Sequence, residues 1–275
     1  MASGPHNYDL FAEAYNRWMA EDFCRRALPA VERLLLARVA VCGDDPAGSA
    51  RTDFRPGRRP CDGRTAKHQF HILDLCCGSG QMARALTARG FRVTGLDASA
   101  PMLRLARKNA PGAEFIRADM RRFRLPPQFA GALCAFNSLA HLAGEGELKA
   151  VFQNVRAALL PGAPFLFDIS LEEAYGAKWR GGFTLVAEEQ ACIVRPSYDA
   201  ERRLGRNHVC LLQARLENGR KNWIRSDFCI EQHCHSPFAL RAALRAAGFR
   251  QIETFDGQRD LGITGERGRA FFLCR

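Results

Sequence analysis

The stretch Ile72-Leu73-Asp74-Leu75-Cys76-Cys77-Gly78-Ser79-Gly80-Gln81-Met82-Ala83 decides the fold. An apolar run ends in an acid, two glycines permit a tight turn, and a segment able to start a helix follows. A second acid, Asp97, closes the next apolar run, nineteen residues past Gly78. Strand, glycine turn, helix, strand, acid is the opening βαβ unit of a nucleotide-type cofactor fold.

The alternation continues outward. Strand 70–75 leads to helix 81–89, strand 92–96 to helix 100–109, and strand 114–117 ends near Asp119. Strand 131–136 precedes helix 145–159, which Pro161-Gly162 stops before strand 164–169. Strands alternating with helices predict an α/β protein with a parallel, doubly wound sheet. The pattern then breaks: 184–195, 206–217 and 221–235 are extended, and Asn218-Gly219 is a strong hairpin turn, which predicts an antiparallel insertion. Helix 237–247 and strands 249–255 and 270–274 return to the core. Upstream, apolar residues recur at helical spacing over 8–41, with Pro29 starting or kinking the second half. The expected organisation is a helical lid at 1–42, a flexible basic linker at 43–69, and a main domain at 70–275 with its insertion at 174–235.

A chain of 275 residues with 47% hydrophobic content supports one large core plus an elaboration. No apolar run reaches the ~18 residues of a membrane span, and no signal peptide is evident, so a cytoplasmic location is expected. The eleven cysteines are scattered and odd in number, which suggests reduced, buried thiols. The net charge of +11 raises the question of a nucleic-acid partner. Arginine and alanine recur throughout, however, and the densest basic stretch, 51–67, holds no interleaved aromatic ladder for stacking bases. His233-Cys234-His235 has no second ligand pair at zinc-site spacing, so no metal is expected.

The glycine pattern alone is ambiguous, because Gly78-x-Gly80-x-x-Ala83 also fits a dinucleotide turn that binds pyrophosphate at a helix N-terminus. A carboxylate four residues before the first glycine opposes that reading, since it sets negative charge beside an anionic ligand. S-adenosylmethionine (SAM) has no phosphate and carries an ammonium and a sulfonium, so Asp74 suits it. Asp74 to Gly80 resembles the Asp/Glu-x-x-x-Gly-x-Gly loop of class I SAM-dependent methyltransferases, and the resemblance runs from about Phe70 to the C-terminus. It implies a Rossmann-like, doubly wound seven-stranded sheet whose last strand is antiparallel.

Ligands of open α/β sheets lie beyond the carboxyl ends of the strands, so each strand end is read for a role. Asp97 can accept both ribose hydroxyls, with Cys76 and Ala98 in the adjoining loops. Met102, on the following helix, can pack on the adenine. The resemblance implies that Asp119 accepts from the adenine amino group and that Met120 adds a backbone contact. Phe136 and Asn137 would flank the methionine moiety. His141 follows the fourth strand, where the methyl group would be presented, and an imidazole there can take the proton of an amine nucleophile.

The segment 136–142 with Glu147-Leu148, the late insertion and the ending Gly265 to Phe272 look similar to bacterial N-methyltransferases of amino-deoxysugars, in which a His of this loop is the proposed base. Asp168-Ile169-Ser170 departs from the more aromatic stretch of that group. The expected function is methyl transfer to a small-molecule amine. An oxygen acceptor, or an RNA or protein acceptor using the basic surface, stands as the alternative. Tyr8, Phe11, Tyr15 and Trp18 fall at helical spacing, either as a core face or as a lid, with Tyr8, Tyr15 and Trp18 as substrate contacts. A homodimer through the β insertion is a further expectation.

Overall fold

A computed structural model of the chain describes residues 7–42, 70–179, 181–217 and 219–275. The expected basic linker, including 51–67, and Asn218 lie outside the described residues. The N-terminal segment is helical but broken: α1 (Asn7–Trp18) and α2 (Ala20–Val31) meet at Met19, and a π-helical turn, Glu32–Leu36, precedes α3 (Ala37–Cys42). Pro29 sits inside α2 just before that turn, where its missing N–H removes one i→i−4 bond from the ladder.

The main sheet takes β1 (His71–Leu75), β2 (Arg92–Asp97), β3 (Glu114–Arg117), β4 (Gly131–Cys134), β5 (Phe165–Ser170), β10 (Ile252–Asp256) and β11 (Arg269–Cys274) in the order β10-β11-β5-β4-β1-β2-β3. β1 pairs in parallel with both β2 and β4, and β11 runs antiparallel to both β5 and β10. Helices α4 (Gln81–Thr87), α5 (Ala100–Asn109), α6 (Glu145–Ala158), α7 (Glu172–Lys178) and α8 (Pro237–Ala246) complete the described α elements, with a 3₁₀ turn at Ser138–His141. Successive strand residues face opposite ways. Leu73, Leu75, Phe165 and Phe167 therefore enter one apolar cluster with α6 and α8, while Ile72, Leu133 and Leu166 enter another with α2 and α4. Asp74 shares parity with Ile72, which turns it toward the N-terminal helices.

The insertion is a separate antiparallel sheet, β6 (Phe183–Ala187), β7 (Gln190–Asp199), β8 (Leu204–Glu217) and β9 (Arg220–His233). The expected single segment 184–195 is two strands, β6 and β7, folded at Glu188-Glu189 between the paired residues Ala187 and Gln190. Helix α7, not anticipated, leads into it. Phe11 and Ala14 of α1 pack on Cys192, Val194, Val209, Leu211 and Ile230 of this sheet. No helix among the described residues is long and apolar enough to cross a membrane.

Candidate active site

The strand order reverses at β1, and the crevice of an open α/β sheet lies at such a point, beyond the carboxyl ends of the flanking strands. A cavity of about 300 Å³ occupies this position. Its walls come from the loops after β1, β2, β3 and β4, and its cover from α1 and β9. Tyr8, Tyr15, Cys76, Gly78, Asp97, Ala98, Met102, Asp119, Met120, Phe136 and His141, all singled out in the sequence, line it together.

Four other sequence candidates sit outside that lining: Asp74, which lines a second space, and Gly80, Asn137 and Trp18. Gly80 (φ +85) lies behind the loop, where an added Cβ would meet the Ala106 Cα at 2.9 Å, so the close approach of α5 requires glycine there. Asn137 is buried: its side chain accepts from the Ser170 N–H at 2.7 Å and donates to Gln232 Oε1 at 2.9 Å, tying β5 to β9. Trp18 packs beside the cluster that joins α1 to the insertion, under the Arg17 guanidinium.

The glycine loop is arranged around Asp97. The Gly78 N–H donates to Asp97 Oδ2 at 2.9 Å and the Ser99 N–H to Oδ1 at 2.9 Å, which aims the carboxylate into the cavity. Ser99 caps α5 and its hydroxyl donates to Asp9 of α1 at 2.6 Å. Gly78 itself has φ +53, and a Cβ there would come within 3.3 Å of the Tyr15 ring. Tyr15 thus closes over the turn. On the far wall, Asp119 is gripped by Arg121 through contacts of 2.6 to 3.1 Å, and these hydrogen bonds hold its carboxyl below the usual carboxylate range. Arg121 also donates to Glu147 at 2.7 Å, and Glu147 accepts from the Ala143 N–H at 2.7 Å, linking the Asp119 loop to the segment after His141.

A second, small cavity of about 30 Å³ lies behind Tyr15, Cys76 and Phe136, which line both spaces. Asp74 lines it, 2% exposed, and its Oδ2 has no hydrogen-bond partner among the described residues. Burial and then the neighbouring Asp97 carboxylate push the Asp74 pKa up to about 7. An unpaired buried carboxylate is costly unless a cation meets it. The residues present therefore fit SAM: an orphaned acid for the ammonium, a carboxylate at the end of β2 for the ribose, and methionines beside both walls.

His141 is positioned from both sides. Its Nδ1 lies 2.9 Å from the Glu231 carbonyl oxygen, which can only accept, so Nδ1 carries hydrogen. Nε2 of the neutral ring is then an acceptor, and it takes the Tyr8 hydroxyl at 2.9 Å. Burial and the Asp97 carboxylate push the Tyr8 phenol well above its ordinary pKa, so this phenol remains a donor. Sequence reasoning did not find Arg121, Ser138, Ile230 or Glu231 at the cavity. Arg121, two residues after Asp119, carried a local signal; Ile230 and Glu231 reach the site only through docking of the insertion.

The sequence matches a methyltransferase-domain family over residues 72–162. It is 41% identical over 90 residues to dTDP-3-amino-3,6-dideoxy-alpha-D-glucopyranose N,N-dimethyltransferase of Streptomyces fradiae, a match covering 33% of this chain and 35% of that protein. It is 40% identical over 94 residues to trans-aconitate 2-methyltransferase of Paracidovorax citrulli, covering 34% and 35%. The matched stretch thus spans about a third of these relatives' length. The whole fold superimposes on Streptomyces venezuelae DesVI with a TM-score of 0.69 at 20% identity, covering 98% of each chain. SAM-bound CalS10, an amino pentose methyltransferase from Micromonospora echinaspora, gives a TM-score of 0.66 at 20% identity, covering 99% of this chain and all of the other. Residues 72–162 thus match a methyltransferase domain, and the whole chain shares the fold of these solved methyltransferases.

Proposed function

We propose that the protein transfers a methyl group from SAM to the nitrogen of a small-molecule amine, with His141 as the general base. The observation that carries this reading is the fixed tautomer of His141, whose Nδ1 is committed to the Glu231 carbonyl and whose Nε2 is left as an acceptor beside the cavity. SAM supplies a methyl carbon already activated by its sulfonium. The chain's task is to hold, align and deprotonate.

Asp74 would meet the ammonium and Asp97 the ribose. Met102, Asp119 and Met120 would hold the adenine end, and Cys76, Ala98 and Phe136 would close the remaining walls. The acceptor enters between Tyr8, Tyr15 and the β9 residues Ile230 and Glu231. An amine arrives protonated near neutral pH and is inert until it loses a proton. That proton would pass to the Tyr8 oxygen as the Tyr8 hydroxyl hands its own proton to His141 Nε2, leaving a neutral phenol and a protonated imidazole. The S. fradiae relative is named for an amino sugar, which makes nucleotide-linked amino sugars the first acceptors to test.

The experiment is a panel of amines, amino sugars and carboxylic acids screened for S-adenosylhomocysteine release. The expected result is turnover on an amine, with His141→Ala lowering kcat by about 10²- to 10⁴-fold while SAM binding is kept. Methyl esters as the products would move the acceptor to oxygen, and absence of SAM binding by calorimetry would overturn the reading altogether.

A further inference from the structure

The turn that carries the site's fourth wall stands in an unfavourable conformation. Phe136 (φ 65) and Asn137 (φ 61) are consecutive non-glycine residues in the left-handed region. Each such residue is strained and persists only where the surroundings hold it. What holds this pair is Asp168. Its Oδ1 accepts the Phe136 N–H at 2.6 Å and its Oδ2 accepts the Asn137 N–H at 3.0 Å.

Asp168 is 1% exposed, and a buried carboxylate needs a partner. Arg269, at the start of β11, donates to Asp168 Oδ2 at 2.6 Å and to Glu266 at 2.6 Å. Glu266, also buried, accepts from Arg26 of α2 at 2.8 Å. Arg26, Glu266, Arg269 and Asp168 therefore alternate in charge along one chain from α2, where Arg26 also pairs with Asp22, to the turn after β4. Aromatic contacts run parallel to it: the Arg269 guanidinium lies 5.0 Å from the Phe23 ring centroid and 5.9 Å from that of Phe136, and the two rings meet edge to face at 4.1 Å. Phe136 lines the cavity, and His141 ends the 3₁₀ turn that begins one residue after Asn137.

We propose that Asp168 and Arg269 are positioning residues for methyl transfer, setting the Phe136–Asn137 turn and coupling it to the packing of α2. The proposal rests on the functional reading above for its kinetic consequence, while the structural consequence is independent of it. Neither residue reaches the cavity lining. Their effect acts through the placement of Phe136 and His141, and a displacement of about 1 Å at a reacting centre can cost about a hundredfold in rate.

The test compares Asp168→Asn, which keeps the shape and removes the charge, with Arg269→Lys, which keeps the charge and removes the fork. Hydrogen exchange is read over 132–142 and 20–31, with kcat, KM and calorimetric SAM affinity alongside. In folded Asp168→Asn, exchange over 132–142 is expected to accelerate, and kcat to fall about tenfold or more while SAM affinity changes less than about threefold. Arg269→Lys is expected to recover part of kcat. Wild-type exchange over 132–142, or wild-type kcat in both variants, would overturn the proposal.

Breaking a buried pair can prevent folding. Arg26→Ala, at a half-exposed position, is therefore the third variant: it should loosen 20–31 and 132–142 together, and loosening confined to 20–31 would remove the coupling. If the wild-type protein binds no SAM, the functional reading falls, and the exchange results still decide whether Asp168 holds the turn.

Discussion

A single carboxylate shows how residue chemistry sets the ligand. Asp74 is buried, its Oδ2 has no partner among the described residues, and its pKa is pushed up to about 7 by desolvation and by Asp97. Pairing with an ammonium requires the ionised form, so SAM binding below that pH must expel a proton. Affinity for SAM is expected to strengthen about tenfold between pH 6 and pH 8, with proton release near pH 6 detectable by calorimetry in buffers of different ionisation enthalpy. Asp74→Asn should weaken binding and flatten that dependence; a slope retained in this variant would place the titration elsewhere. The same group shapes the stability of the ligand-free protein. Its folded pKa lies above the unfolded value, so its favourable contribution is complete below about pH 4 and is lost as pH rises through about 7. Asp74→Asn is therefore expected to raise the Tm of the ligand-free protein at pH 8 and to change it little at pH 4.

The elements meeting at the glycine loop are held by close approach. Gly80 needs a positive φ and has the Ala106 backbone at its α-carbon, so Gly80→Ala is expected to cost about 1–3 kcal/mol in chemical denaturation. Gly144 begins α6 from an extended backbone with open space around it, and Gly144→Ala should stay within about 0.5 kcal/mol. Equal losses at the two sites would refute this account of the loop. Asp97, Gly78, Ser99 and Asp9 form one bonded series across β2, the loop, the start of α5 and α1, and this series holds α1 against the carboxyl end of β2.

Over the whole molecule, α1 joins two sheets. Its Tyr8 reaches His141, its Tyr15 covers Gly78, and its Phe11 is buried among residues of β7, β8 and β9. Phe11→Ala is expected to speed hydrogen exchange across 7–18 while β1, β4 and β5 keep their protection, and to raise the KM of the acceptor. Uniform loss of protection across the main sheet would instead make α1 part of the global core.

Much of the fold was legible in the sequence because its signals are local. The β1–turn–α4 unit, the Glu114–Arg117 strand and the Ala100–Asn109 helix are written in short apolar runs, glycines and caps. Strand-end acids could be read because the parallel strands of such a sheet all end on one rim. The break at Met19, the hairpin at Glu188-Glu189 and helix α7 carried no comparable signal, since tertiary packing fixes them. Partnerships across long sequence separations were hidden for the same reason. Tyr8 and His141 are 133 residues apart, and Asp168 and Arg269 are 101 apart. The sequence by itself determined the β1–glycine turn–α4 unit and the place of Asp74 within it. Only the tertiary structure decided which nitrogen of His141 is an acceptor and what holds the turn before it, because hydrogen-bond direction and charge pairing depend on where distant chain segments meet.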